Sequence, residues 1–276
     1  MPSNNRPRIG LALGSGSARG WSHIGVIKSL QRAGYSPDIV CGTSIGALVG
    51  AVQAAGHLEW LEKWVRKLDW QGILALMDIR MSGGLIEGRR LLDFFRRHFV
   101  DEGIEKLAQP FACVATELET GREVWLRQGS VIDAVRASIA LPGLFTPARY
   151  GDRLLVDGGL VNPVPVSLCR AMGADVVIAV DLNWDLIGRR SRSQPESKAT
   201  IAPRSDGPSM LGVLTTSLNI MQVRITQSRL AGEPADVIIR PRLSDISAMD
   251  FNRAAQAIEQ GEAATELVLS QIADML

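Results

Sequence analysis

The sequence predicts an α/β fold with a mainly parallel central sheet covered by helices on both faces. Three observations carry that prediction. The strongly apolar runs are short, as in Arg8–Leu13 and Asp175–Asp181. Nearly uninterrupted apolar character is what a strand buried on both faces shows. Segments with helical periodicity follow them, and glycine-rich turns stand where strand passes to helix.

In chain order, residues 1–7 read as a tail and Arg8–Leu13 as the first strand. Trp21–Ala33 reads as a helix, with Ile24, Ile27 and Leu30 at helical spacing. Asp38–Cys41 is a second strand, followed by a helix of small residues to Ala55. Leu61, Trp64, Val65 and Leu68 share one face of a helix over 58–68. Phe111–Thr116 and Glu123–Leu126 read as strands around a Thr120-Gly121 turn, and Val131–Ala137 as a short helix. Arg153–Val156 is a strand running into Asp157-Gly158-Gly159, and Asp175–Asp181 is the clearest buried strand. A loop over 185–209 follows; its 189–204 portion holds five basic residues, one acidic residue and no apolar cluster. Pro208–Leu230 reads as mostly helical, Ala235–Ile239 as a last strand and Phe251–Ile272 as a terminal helix. No internal boundary appears, so 8–276 is expected to be one domain, with its core motifs within 9–170.

Composition narrows the function classes. The chain has 276 residues, 46% hydrophobic and 21% charged, which excludes global disorder. Thirty basic against 29 acidic residues leave a net charge of +1, without the basic excess of a dedicated nucleic-acid binder. Three cysteines with no CxxC spacing supply neither a disulfide framework nor a four-cysteine zinc site, and they suit a reducing compartment. The N-terminus does not read as a secretory signal. Ile39–Gly56 is 18 residues without a charge and carries GxxxG spacing twice. Gly, Thr, Ser and Gln dilute it, so it reads as a buried strand and helix rather than a membrane span.

Gly42-Thr43-Ser44-Ile45-Gly46 is a GxSxG sequence between an apolar strand and a helix. That is the setting of a nucleophile elbow: a serine hydroxyl exposed on a tight turn, with a helix N-terminus behind it. The simpler alternative is a serine helix cap. Gly14-Ser15-Gly16-Ser17-Ala18-Arg19-Gly20 follows the first strand. Its glycines read GxGxxxG rather than GxGxxG, and no G-K-[S/T] follows, which disfavours a nucleotide loop. Its backbone N–H groups suit an oxyanion hole, and a plain tight turn is the alternative.

A serine nucleophile needs a base. The histidines are His23, His57 and His98, so none follows residue 98 and the usual order serine, acid, histidine is missing. Asp157 is the candidate base, with an ordinary turn aspartate as the alternative reading. His23 reads as a packing or capping residue. Residues 83–99 place Leu91, Leu92, Phe95 and Phe99 on one face, with Arg89, Arg90, Arg96 and Arg97 around the rest. A core-packing helix with a solvated basic face is the expected reading, and an interfacial helix the other.

Together the elbow, the glycine loop and the Asp-Gly-Gly turn resemble the patatin-like phospholipases, in particular their bacterial RssA-like branch. LALGSGSARGWSHIGVI, IVCGTSIGALVGA, RASIALPGLFTP, LLVDGGLVNPVPV and GADVVIAVDL look like the family's blocks, in its order. The resemblance implies a three-layer α/β/α fold and a Ser44–Asp157 dyad acting on lipid acyl esters. It places Gly14, Ser15, Gly16 and Ser17 in the oxyanion hole. Arg19 and Gly20 would support the loop, Gly42 and Gly46 would shape the elbow, and Gly158 and Gly159 would turn the chain after the base. No cofactor and no metal are implied. Where many members carry consecutive glycines, this chain has Ser15 and Ser17. The expected location is cytoplasmic, with peripheral contact to anionic membrane at the arginine clusters; a homo-oligomer is left open. A weakly catalytic or non-catalytic regulatory interaction protein on the same fold is the competing function.

Overall fold

The computed structural model describes residues 6–76, 88–98, 102–186 and 210–276. In chain order the first elements are β1 (Ile9–Leu13), a 3-10 turn (Ser17–Trp21), α1 (Ser22–Arg32), β2 (Ile39–Thr43) and α2 (Ile45–Ala54). Then come α3 (Leu58–Val65), α4 (Trp70–Leu76), α5 (Arg89–His98), β3 (Phe111–Glu117), β4 (Glu123–Leu126) and α6 (Val131–Ser138). The middle of the chain gives β5 (Ala148–Tyr150), β6 (Arg153–Asp157), α7 (Val166–Ala171) and β7 (Val176–Val180). The last elements are α8 (Met210–Gly232), β8 (Val237–Ile239), α9 (Ala254–Glu266) and α10 (Leu269–Ala273).

The eight strands form one mixed sheet in the order β5-β6-β3-β2-β1-β7-β8, with β4 also on β3. The run β3-β2-β1-β7-β8 is parallel, whereas β4 and β6 pair antiparallel with β3, and β5 antiparallel with β6. Every residue of β1, β2 and β7 is buried, as their unbroken apolar sequence requires. One face carries a core with α1, α2, α3, α6 and α9; the other is covered by α7 and packed by Leu230 of α8. Ile39–Gly56 resolves into β2 and α2, and no described helix is long and apolar enough to cross a membrane.

The registers on β3 bring two distant strand ends together. β2 runs parallel to β3 and ends with Thr43 opposite Val114. β6 runs antiparallel and ends with Asp157 opposite Ala115. β4 pairs with residues 113–116 of β3, overlapping both neighbours, so it occupies the opposite edge. β2 and β6 therefore share one edge of β3 and meet head to head between Val114 and Ala115.

Several expectations change in detail. The terminal helix is interrupted at Leu267–Val268, and β5, α4 and α7 lack a sequence signal among those used above. The residues expected to be a tail include Arg6, whose guanidinium pairs with Asp38 at 2.6 Å. Asp38 also accepts the Ile9 N–H at 2.8 Å, a strand-tying role. The expected loop over 185–209 is mostly outside the described residues, but Asp185 is buried and accepts the Leu243 and Ser244 N–H groups. On α5, Phe95 is buried in the core and Arg90, Arg96 and Arg97 are exposed. Arg96 pairs with Asp133 at 3.2 Å. The side chains of Arg89, Leu91, Leu92 and Phe99 lie outside the description. Cys41, Cys113 and Cys169 are free and buried, and burial raises the thiols of Cys41 and Cys113.

Candidate active site

Ser44 sits between β2 and α2 at φ 57 and ψ −123. Only Ser44 and Ser17 among the described non-glycine residues have positive φ, and both lie at this site. Such a conformation costs an L-residue roughly 1–3 kcal/mol, so the surroundings must hold it. Two glycines make room. A Cβ at Gly42 would stand 2.3 Å from the Gly46 carbonyl oxygen, and one at Gly46 would stand 2.2 Å from that of Leu13. Both obstacles are backbone and cannot swing away. Gly46→Ala is therefore expected to lower the unfolding free energy by about 3 kcal/mol or more, read from the urea midpoint. A loss under about 1 kcal/mol would mean that β1 and α2 can separate freely.

The turn is pinned from below. Ser138, the last residue of α6, donates its hydroxyl to the Val114 carbonyl at 2.6 Å and accepts the Ser44 N–H at 2.9 Å. Thr43 donates to the Asn162 carbonyl at 2.8 Å. Ser138 lies in a quoted block, but nothing in its local pattern marks it as the elbow's support.

With both strand ends on one edge of β3, the Ser44 hydroxyl donates to Asp157 Oδ2 at 2.5 Å. The other carboxylate oxygen accepts the Gly159 N–H at 2.7 Å. The Asp157 backbone is fixed by its N–H to the Ala140 carbonyl at 3.0 Å and by Thr116 Oγ1 on its carbonyl at 2.8 Å. Burial pushes its carboxyl up to about 6, against the two hydrogen bonds that favour the charged form. A carboxylate with that affinity, held on a serine hydroxyl and largely shielded from water, can take up the serine proton.

The glycine loop comes from the end of β1. Its Gly14 N–H donates to the Val180 carbonyl and its Ser15 N–H to the Pro163 carbonyl. The N–H groups of Gly16 and Ser17 find no acceptor among the described residues, so the four expected loop donors reduce to two. Gly20 lies against Ile45: a Cβ there would stand 2.2 Å from that side chain. His23 is fully buried, and its Nε2 donates to the Gly14 carbonyl at 2.8 Å. Burial lowers its affinity for a proton to about 4, so it is neutral and supports the loop. The Arg19 guanidinium is also buried, which lowers it to about 10 against the opposing charge of Asp185, and its Nε finds no partner among the described residues.

The turn after Asp157 is held from α8. Arg229 donates from Nε to the Val161 carbonyl at 3.1 Å and from Nη2 to Glu123 at 2.7 Å. A Cβ at Gly158 would stand 2.2 Å from the Val114 carbonyl oxygen, and one at Gly159 would stand 2.5 Å from Gln222 Nε2. Sequence reading missed Ser138, Asn183 and Gln222.

This architecture has known counterparts. The family model for patatin-like phospholipase matches residues 11–170, which span both Ser44 and Asp157. The chain belongs to the patatin-like phospholipase family. It is 32% identical to an uncharacterized NTE family protein of Mycobacterium tuberculosis, over 94% of this chain and 91% of that one. It is 30% identical to patatin-like phospholipase domain-containing protein 6 of Mus musculus, over 92% of this chain and 20% of that protein. Among solved structures, VipD from Legionella pneumophila shares the fold with a TM-score of 0.59 at 13% identity, covering 97% of this chain and 67% of that one. Membership places the chain among lipid hydrolases at the family level.

Proposed function

We propose that the protein is a serine lipid acyl hydrolase of the phospholipase or lysophospholipase type, using Ser44 and Asp157 as a dyad. The observation that carries this reading is the 2.5 Å hydrogen bond between a strained, pinned serine and a buried carboxylate. Ser44 Oγ attacks the ester carbonyl carbon while Asp157 takes its proton. The tetrahedral oxyanion is met by the Gly16 and Ser17 N–H groups, each such donor being worth about 3 kcal/mol at the transition state. Asp157 then returns the proton to the leaving alcohol, and an acyl-serine forms. Water enters and gives a proton to Asp157 as its oxygen attacks the acyl carbon; Asp157 passes that proton to Ser44 Oγ as the bond from Oγ to the acyl carbon breaks, and the carboxylic acid product leaves.

Asp157 must be ionised to act as the base. Its carboxyl is raised to about 6, so kcat/KM is expected to fall about tenfold per pH unit below pH 6. A profile whose acid limb lies near pH 4 instead would contradict the buried-base assignment. The substrate is a lipid ester, with cytoplasmic membrane surfaces as its source, and the exposed Arg90 and Arg97 offer a point of contact with anionic lipid. Hydrolysis of a p-nitrophenyl ester by the wild-type protein, lost in Ser44→Ala, tests the reading; equal rates in the two would sink it.

A further inference from the structure

Gln222 has no part in the steps above, yet its side chain reaches both halves of the site. It projects from α8 and is 7% exposed. The hydrogen-bond network fixes which end of its amide is which. The Ser15 carbonyl can only accept, so the Asn183 group 3.3 Å from it is Nδ2. The same Nδ2 lies 3.3 Å from Gln222, so the Gln222 atom facing it is Oε1. The Ser15 hydroxyl donates to that oxygen at 3.1 Å. A glycine at position 15 could not make this bond, so the anchor depends on the serine that departs from the consecutive-glycine pattern.

With Oε1 tied to the glycine loop, Nε2 is turned toward the Asp157 turn. The position of a Cβ on Gly159 is 2.5 Å from Gln222 Nε2 and 3.0 Å from Asp157 Oδ1. Nε2 finds no acceptor among the described residues. The donor is therefore open to an acceptor that a ligand brings. Asp157 gives its proton to the leaving oxygen in the proposed reaction, so the space beside it belongs to the alcohol half of the ester.

We propose that Gln222 Nε2 is a substrate-binding donor that takes an oxygen acceptor on the alcohol side of the lipid, either a glycerol hydroxyl or a headgroup phosphate. This rests on the hydrolase reading and specifies its substrate: a polar alcohol ester in preference to a simple one. Gln222 is thereby a selectivity residue, with Ser15 and Asn183 as its anchors.

Two variants separate the ends of the amide. Gln222→Glu keeps an oxygen for Ser15 and Asn183 but removes the donor, and Gln222→Met removes both. Steady-state kinetics at pH 8.5 compare a monoacylglycerol, a lysophosphatidylcholine and a p-nitrophenyl ester of the same acyl chain. The expected result is a loss of kcat/KM at least tenfold greater on the polar lipids than on the nitrophenyl ester, expressed in KM. An excess on both lipids identifies the glycerol hydroxyl as acceptor; an excess on the lysophospholipid alone identifies the phosphate. Equal losses on all three esters, expressed in kcat, would show a loop-holding role only and overturn the proposal. If the wild type hydrolyses none of them, the hydrolase reading falls by itself. Gln222 is then judged by calorimetric binding of a short-chain lysophospholipid ether to the Ser44→Ala protein. Affinity weakened at least tenfold by Gln222→Met supports it, and unchanged affinity overturns it.

Discussion

Asp157→Asn is expected to lose turnover by about a thousandfold or more and at the same time to unfold at a higher temperature than the wild type at pH 8. The loss follows from removing the carboxylate that accepts the Ser44 hydroxyl and takes its proton. The gain follows from linkage. The folded-state carboxyl is raised from 3.8 to about 6, so between those values the native state holds a proton that the unfolded state has released. The stability contributed by the neutral form is fully present below pH 3.8 and is lost as the pH rises through 6. Above that, burying the charge costs about 3 kcal/mol, a cost the neutral amide does not carry. Thermal melts of both proteins from pH 4 to pH 8 should therefore converge at the acid end and separate above pH 6, with the variant higher. Parallel curves, or a wild type that is the more stable at pH 8, would place Asp157 in a solvated setting unlike the one described.

Ser44→Gly and Ser44→Ala are expected to be equally inactive, down about a thousandfold or more, but unequally stable. Position 44 is held at φ 57 and ψ −123, where an alanine is strained as the serine is. Glycine adopts that backbone freely. The glycine variant should exceed the alanine variant by about 1–2 kcal/mol in urea unfolding, less the entropy glycine adds to the unfolded chain. Both lose the bond to Asp157, so the comparison isolates the backbone. An alanine variant as stable as the glycine variant would mean that the elbow relaxes once the hydroxyl is gone.

The parts of the fold that were legible in the sequence are those set by local pattern. β1, β2 and β7 are buried on both faces, and their uninterrupted apolar runs announce it. The elbow was legible because GxSxG needs its two glycines for contacts within the motif and with the neighbouring strand end. What was not legible depends on register. Nothing local to Asp157 tells that β6 abuts β2 along one edge of β3, which alone brings its carboxylate to Ser44. The glycine loop could be recognised as a source of N–H donors, but not which of them are engaged. The acceptors on Val180 and Pro163 come from distant segments. Gln222 was silent for another reason: α8 mixes apolar and polar residues around its circumference, so no face stands out as the one that meets the site. β5 is three residues long, too short for an alternation to register.

The most direct measurement is covalent labelling of the wild-type protein with a fluorophosphonate, with the adduct mapped by peptide mass spectrometry across pH 4 to 9. The account predicts a single stoichiometric adduct on Ser44, formed at a rate that rises with pH and levels off above about pH 6, as the buried Asp157 ionises. An adduct on another residue, or labelling of Ser44 that persists at the same rate in Asp157→Asn, would contradict it.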